Sequence, residues 1–302
     1  MQNLQDAAQL FKEYLQIEKN ASPLTVQSYE DDVNAFFIFL RSEDIHSLRD
    51  IDDALIRVWL TKLYEHGLLR RSVSRKLSCL RSFFRFLERE ELVKQNPFLT
   101  VSLPKEMAHI PDFFYEEELQ QLFSVNTSSD PLDQRNQAIL EILYGTGIRV
   151  SECTGLSMKD IDFSIGTLLV HGKGRKERYV PFGHFAEEAL ETYIEQGRKQ
   201  LIEKTEEAPV AVFLNARGKP ISARGIRLIL NKMVKKAALT VDIHPHKLRH
   251  SFATHMLNQG ADLRSVQELL GHEHLSSTQI YTHVTKDHLR NIYMNSHPRA
   301  KK

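Results

Sequence analysis

The sequence predicts a mostly α-helical protein: an N-terminal four-helix domain, then a mainly helical domain with a small antiparallel sheet. Three observations predict it. Apolar residues recur at helical spacing through the first hundred residues, with short connections. Prolines at 97, 104 and 111 then interrupt a stretch without helical period. Beyond them, IDFSIGTLLVHGKGRKERYVPF alternates β-rich runs with glycine-containing turns, which reads as two or three short antiparallel strands. A length of 302 residues exceeds what one core usually organises. The expected division is a helical domain over 1–104, a linker over 105–112 and a second domain over 113–302.

The elements follow in order. Leu4 to Ile17 is amphipathic. Ser22-Pro23 has the chemistry of a cap and first helical residue, opening a helix to about Leu40. A third helix spans about Ile51 to Tyr64 and stops at His66-Gly67; RRSVSRKLSCLRSFFRFLERE is the fourth. In the second domain, Asp133 to Tyr144 is helical and ends at Gly145-Thr146-Gly147. Further helices are expected at about His184–Ile202, Ser222–Ala238, His246–Asn258 and Asp262–Leu270.

Composition excludes several classes. Hydrophobic residues make up 41% and charged residues 26%, which argues against wholesale disorder. The longest apolar run, Ala35 to Leu40, is too short to cross a bilayer. The first residues lack the basic and apolar regions of an export signal. Two cysteines, Cys79 and Cys153, cannot build a disulfide framework and suit a reducing, cytoplasmic setting.

The net charge of +1 conceals an asymmetry. Residues 1–53 hold four Lys or Arg against eleven Asp or Glu, whereas residues 54–104 hold ten against four. On the fourth helix, Val73, Leu77, Leu80, Phe84 and Leu87 fall on one arc, and Arg71, Arg75, Arg81, Arg85 and Arg89 on another. Most charged helix faces are simply solvated and interleave acids for i,i+4 pairing. Here acids enter only at Glu88 and Glu90, so the arginine ridge is expected to face phosphates.

Four polar clusters mark the second domain. Gly145 to Glu152 places Arg149 after a glycine turn where a short helix begins, a setting that suits an anion. His171 to Arg178 lies at a hairpin turn that brings Lys173, Arg175 and Lys176 together. It is not a nucleotide-binding loop: five residues separate Gly166 from Gly172, and no Ser or Thr follows Lys173. On the third cluster, His246, Arg249 and His250 share a helix face. The fourth runs from Gly271 through His272 and Tyr281 to His283. His246 and His250 have the spacing of helical zinc ligands, but Lys247 and Arg249 between them would repel a cation.

Thr146-Gly147-Ile148-Arg149-Val150-Ser151-Glu152, Gly172-Lys173-Gly174, His246-x-x-Arg249-His250, Leu270-Gly271-His272 and Gln279-Ile280-Tyr281-Thr282-His283 together resemble the tyrosine recombinase (lambda-integrase-type) family. Their order is most similar to the bacterial Xer recombinases. The N-terminal helices also resemble the family's core-binding domain, so the likeness covers essentially the whole chain. Cys153 and Ser277 depart from the Leu and Thr of the pattern, and neither is a reacting group.

The resemblance implies six catalytic residues: Arg149, Lys173, His246, Arg249, His272 and Tyr281. Tyr281 would attack a DNA phosphodiester, leaving a 3′-phosphotyrosyl link and a free 5′-hydroxyl. The bond energy is kept in that link, so rejoining calls for no ATP, and the two fixed arginines can replace the metal ions of other phosphoryl-transfer enzymes, so no cofactor is expected. Glu152 and His250 are expected behind the reacting groups. DNA contacts are expected from the arginine ridge, from Arg175 and Lys176, and from Arg224 and Arg227 in the acid-free stretch 217–237. The family acts as a tetramer on two DNA segments, which implies a homologous partner recombinase. It also implies that Thr285 to Lys302 docks on a neighbouring protomer, and that the reaction resolves chromosome dimers at cell division. The alternatives are a phage- or transposon-type integrase, a relaxing activity of the type IB topoisomerase kind, and a non-catalytic DNA-binding protein.

Overall fold

The structure is a computed structural model that describes residues 4–101, 113–126, 128–172, 176–205, 207–239, 243–271 and 286–301, without the side chains of 286 and 287. The expected linker 105–112 lies outside the described residues, as do Lys173, Arg175, His272 and Tyr281. The chain divides into two compact units, Met1–Ala108 and His109–Lys302.

The first unit is built from α1 (Leu4–Ile17), α2 (Pro23–Ser42), α3 (Asp53–Glu65) and α4 (Arg70–Arg89). Local chemistry sets their starts. The Ser22 hydroxyl accepts the Thr25 amide at 3.2 Å with Pro23 in the first turn, and the Asp52 carboxylate accepts the Leu55 amide at 2.8 Å. The apolar arc of α4 is buried, and the core is largely aromatic. The Phe36 and Trp59 rings meet edge-on at 5.2 Å, and Phe84 lies 5.0 Å from Phe98.

The opposite arc of α4 corrects the expectation of an arginine ridge without counter-charges. Arg75, with Lys76, pairs with buried Asp32 of α2. Arg81 donates to the Phe98 and Val101 carbonyls. Arg89 forks onto Glu18 at 2.9 and 3.1 Å and lies over the Tyr14 ring. Only the helix's own acids were visible at i,i+4 spacing; the compensating acids come from other elements. Arg71 and Arg85 are exposed and have no partner among the described residues.

The second unit is centred on α6 (Pro131–Thr146), whose residues Ala138 to Thr146 are all buried. A helix apolar nearly all round must be wrapped on every side. Its wrapping includes α5 (Glu116–Phe123), α7 (Val150–Gly155) and a sheet of β1 (Ile161–Asp162), β2 (Thr167–His171) and β3 (Glu177–Pro181). The strands are antiparallel in the order β1-β2-β3, with Leu168 opposite Val180 and Val170 opposite Arg178. The helix expected over 184–202 is α8 (His184–Thr192) and α9 (Arg198–Ile202), joined by a wider helical turn at Tyr193–Gly197. Then come α10 (Ala223–Lys236), α11 (Pro245–Asn258), α12 (Leu263–Leu270) and α13 (Lys286–Ser296). No helix among the described residues is long and apolar enough to cross a membrane.

The C-terminal residues are seated on their own unit. Tyr293 is fully buried, and the His184 amide donates to the Ala300 carbonyl at 3.1 Å. The Arg299 guanidinium forks onto buried Glu141 and lies 3.9 and 4.0 Å from the Phe123 and Phe185 ring centres. A side chain at Gly183 would come within 2.4 Å of the Arg299 carbonyl oxygen, so the close approach there requires glycine.

Candidate active site and nucleic-acid interface

The site forms where three chain segments meet: the turn after α6, the start of α11 and the end of α12. Gly147 ends α6 in the left-handed region at φ 62°. A Cβ there would come within 2.6 Å of the Phe252 ring and 2.9 Å of Leu270, so both backbone and space demand glycine. Arg149, two residues on, precedes α7, and the Glu152 carboxylate accepts its amide at 2.7 Å. That bond fixes the backbone from which the Arg149 guanidinium projects.

Helix α12 ends at Gly271, with φ 66°. Its last carbonyls have no intrahelical partners and form the negative end of the helix dipole. Three arginines supply the donors. Arg178 Nε donates to Leu269 O at 3.0 Å, Arg249 Nη2 to Leu270 O at 2.6 Å, and Arg149 Nη2 to Gly271 O at 3.2 Å. Arg249 Nη1 also donates to Gly147 O at 2.7 Å, which ties α11 to the glycine turn.

Glu152 binds two of these cations. Its Oε1 accepts from Arg149 Nη1 at 2.9 Å and Arg178 Nη1 at 3.0 Å, while Oε2 accepts from Arg178 Nη2 at 3.0 Å. Burial alone would raise the Glu152 carboxyl, but hydrogen bonds from Arg178 and the Arg149 amide outweigh it and hold it below the usual carboxylate range. Two guanidinium groups on one carboxylate, with Arg249 held by carbonyls nearby, leave a net positive charge.

Burial, followed by the Arg149 charge, pushes Arg249 down to about 10, so it remains a cation at neutral pH. His246, one turn earlier on α11, lies in the field of the same groups. Its own burial first, then His244, Arg249, Arg227 and Arg149, lower its pKa from the ordinary imidazole value. Its ring is therefore neutral at pH 7, with one nitrogen free to accept a proton and the other able to donate.

The structure thus brings Arg149, Arg249, His246 and Glu152 to one place. His250 packs edge-on against Phe113 at 6.4 Å and has no hydrogen bond among the described residues. Lys176 is exposed beside the hairpin turn, and Arg224 and Arg227 are exposed on α10. Helix α10 packs against α7, the short helix that follows Arg149, and Arg227 is among the charges that lower His246. The sequence reading gave Arg178 no role. Its signal was strand alternation: Arg178 shares the inward face of β3 with buried Val180, and an inward arginine needs a buried acid. The α12 carbonyls gave no side-chain signal at all.

Residues 112–288 match the Phage integrase family, and residues 8–91 match the Phage integrase N-terminal SAM-like domain. Over 290 residues the chain is 64% identical to the tyrosine recombinase XerC of Oceanobacillus iheyensis, covering 96% of this chain and 95% of that one. It is 54% identical over 300 residues to the tyrosine recombinase XerC of Bacillus subtilis, covering 99% of each. A solved structure of the XerH site-specific recombinase, bound to a palindromic difH substrate in a post-cleavage complex, shares the fold. Its TM-score is 0.70 at 24% identity, covering 95% of this chain and 84% of that one.

Proposed function

The chain belongs to the phage integrase family and is a site-specific tyrosine recombinase, and from that premise we propose how its residues divide the work of cutting and rejoining DNA. Tyr281 attacks the scissile phosphorus, forming the Tyr281 Oη–P bond and breaking the bond to the 5′-oxygen. Lys173 protonates that departing oxygen, because an alkoxide is a poor leaving group. Rejoining runs the same steps in reverse, with the 5′-hydroxyl displacing Tyr281, and so consumes no external energy.

One observation carries this reading: Arg149 and Arg249, a hundred positions apart in sequence, hang from adjacent carbonyls, with His246 one turn before Arg249 on α11. Guanidinium groups already held in place stabilise the charge that grows on the non-bridging oxygens without reorganising at the moment of reaction. The neutral His246 ring supports a role in taking the Tyr281 proton or donating to a phosphate oxygen, and His272 is the second candidate for that role. Arg71 and Arg85 of α4, Arg224 and Arg227 of α10, and Arg175 and Lys176 of the hairpin turn contact the duplex backbone.

The XerC relatives support resolution of chromosome dimers in the cytoplasm, as a tetramer with an XerD-like partner, over phage or transposon integration. In that assembly the C-terminal segment docks on a neighbouring protomer by exchanging one seat for its identical counterpart, the form a domain swap takes.

A duplex nicked beside the cleavage position traps the covalent step. The protein is expected to form a phosphotyrosyl adduct with it, and Tyr281→Phe to abolish the adduct while retaining the gel shift. An adduct that survives the substitution overturns the nucleophile assignment.

A further inference from the structure

We propose that Arg178 is a positioning residue for strand cleavage: it holds Glu152 and the end of α12 so that the Arg149 guanidinium is aimed at the scissile phosphate and keeps its charge. This rests on the reading of Arg149 as a phosphate ligand.

The geometry is specific. Arg178 is largely buried on the inner face of β3 and forks onto Glu152 with both terminal nitrogens at 3.0 Å. A two-point grip of this kind fixes the plane of the carboxylate, which a single bond does not. Glu152 in turn fixes Arg149 twice, through its amide and through Nη1. The third Arg178 contact, Nε to Leu269 O, anchors the first of the carbonyls whose successors hold Arg249 and Arg149. Gly271 makes room for it: a Cβ there would lie 3.0 Å from Arg178 Nε.

Charge gives the second half of the argument. With Arg178 present, one carboxylate is shared between two guanidinium groups, and Arg149 retains attraction for an incoming anion. With Arg178 neutral, the Glu152 charge falls on Arg149 alone, and the carboxylate is free to turn. Both changes weaken the phosphate clamp while leaving the distant duplex contacts in place.

The test is a double-mutant cycle on single-turnover adduct formation with the nicked duplex, using Arg178→Gln, Arg149→Lys and both together, with binding followed by gel shift. Arg178→Gln is expected to slow cleavage by about 100-fold, the loss that follows from small misplacements in a reacting site, with binding changed by less than about twofold. In the Arg149→Lys background the same substitution is expected to add less than about threefold, because both act through one guanidinium. Penalties that multiply in the double variant, or an unchanged rate in Arg178→Gln, overturn the proposal. If Arg178→Gln does not fold, Arg178→Lys carries the same cycle, since it keeps the charge but cannot fork. The wild-type and Tyr281→Phe adduct assays run alongside, so failure of the underlying recombinase reading registers separately.

Discussion

Arg149 and Arg249 are held by consecutive carbonyl oxygens of one helix end, the first on Gly271 and the second on Leu270. Two cations so near each other repel. The carboxylate of Glu152 and the negative end of α12 offset that repulsion before any phosphate arrives. The two arginines are unequal in burial: Arg249 is 9% exposed, whereas the Arg149 side chain keeps 37% of its surface in solvent.

That inequality predicts different costs. Arg249→Ala leaves the Gly147 and Leu270 carbonyls without donors in a buried setting, and is expected to destabilise folding by about 2–4 kcal/mol. Arg149→Ala gives up a half-exposed pair and is expected to lose about 1 kcal/mol or less. Both are expected to suppress adduct formation. Urea unfolding of the two variants checks the difference.

The depressed His246 pKa predicts a pH profile. A lowered pKa holds the ring neutral to a lower pH than an ordinary imidazole, so protonation of the free protein at this position needs more acidic conditions. Imidazole resonances followed through a pH titration are expected to show His246 titrating below the ordinary imidazole value. Arg227→Ala removes one repelling cation and is expected to shift the His246 midpoint upward.

The two kinds of arginine on α4 separate stability from binding. Arg85→Ala is expected to weaken duplex binding and reduce its salt dependence by about one counterion, with no change in unfolding midpoint. Arg75→Ala removes one of the two cations paired with buried Asp32, and is expected to destabilise the first unit. Gel shifts over a salt series, set beside urea unfolding, distinguish them.

The C-terminal seat predicts an acid-sensitive second unit. His297 is buried among the Tyr144, Phe252 and Tyr293 rings, and burial pushes its pKa down to about 3. Its folded-state pKa is below its unfolded one, so its contribution is complete above the ordinary imidazole pKa and is lost as pH falls towards 3. Between those values the unfolded chain carries the extra proton, and stability falls by about 1.4 kcal/mol per pH unit from this group. His297→Gln is expected to flatten the unfolding midpoint between pH 6.5 and 5, as followed by urea titration. Arg299→Ala leaves buried Glu141 without its counter-charge, with the Gln137 amide still donating to it, and is expected to cost about 3–5 kcal/mol at neutral pH.

Helix starts were legible because they are local. Ser22-Pro23 carries its cap within three residues, and the glycine turn ending at Gly147 marks a helix end by a backbone conformation that few other residues adopt. The arginine face of α4 was legible as a face and misread as a surface free of counter-charges. Asp32 and Glu18 lie 43 and 71 residues from the arginines they neutralise, beyond any periodicity. Helix α13 escaped the reading for a related reason: its apolar face, with Tyr293 fully buried, packs on Phe252, Met256 and Leu270 of α11 and α12, outside its own sequence neighbourhood.

The sequence by itself determined the order of most helices and of the strands, and the types of group that could act on a phosphodiester. Side-chain chemistry and local periodicity are written residue by residue, so both survive without coordinates. Only the tertiary structure decided which cations are spent on the protein and which remain available. It gave Arg75, Arg81 and Arg89 to the first unit's own acids and carbonyls, and it set Arg149, Arg178 and Arg249 on successive oxygens of one helix end. The physical reason is that carbonyl acceptors belong to the backbone of every residue alike. No sequence pattern marks which of them will be left open, or which distant arginine will reach them.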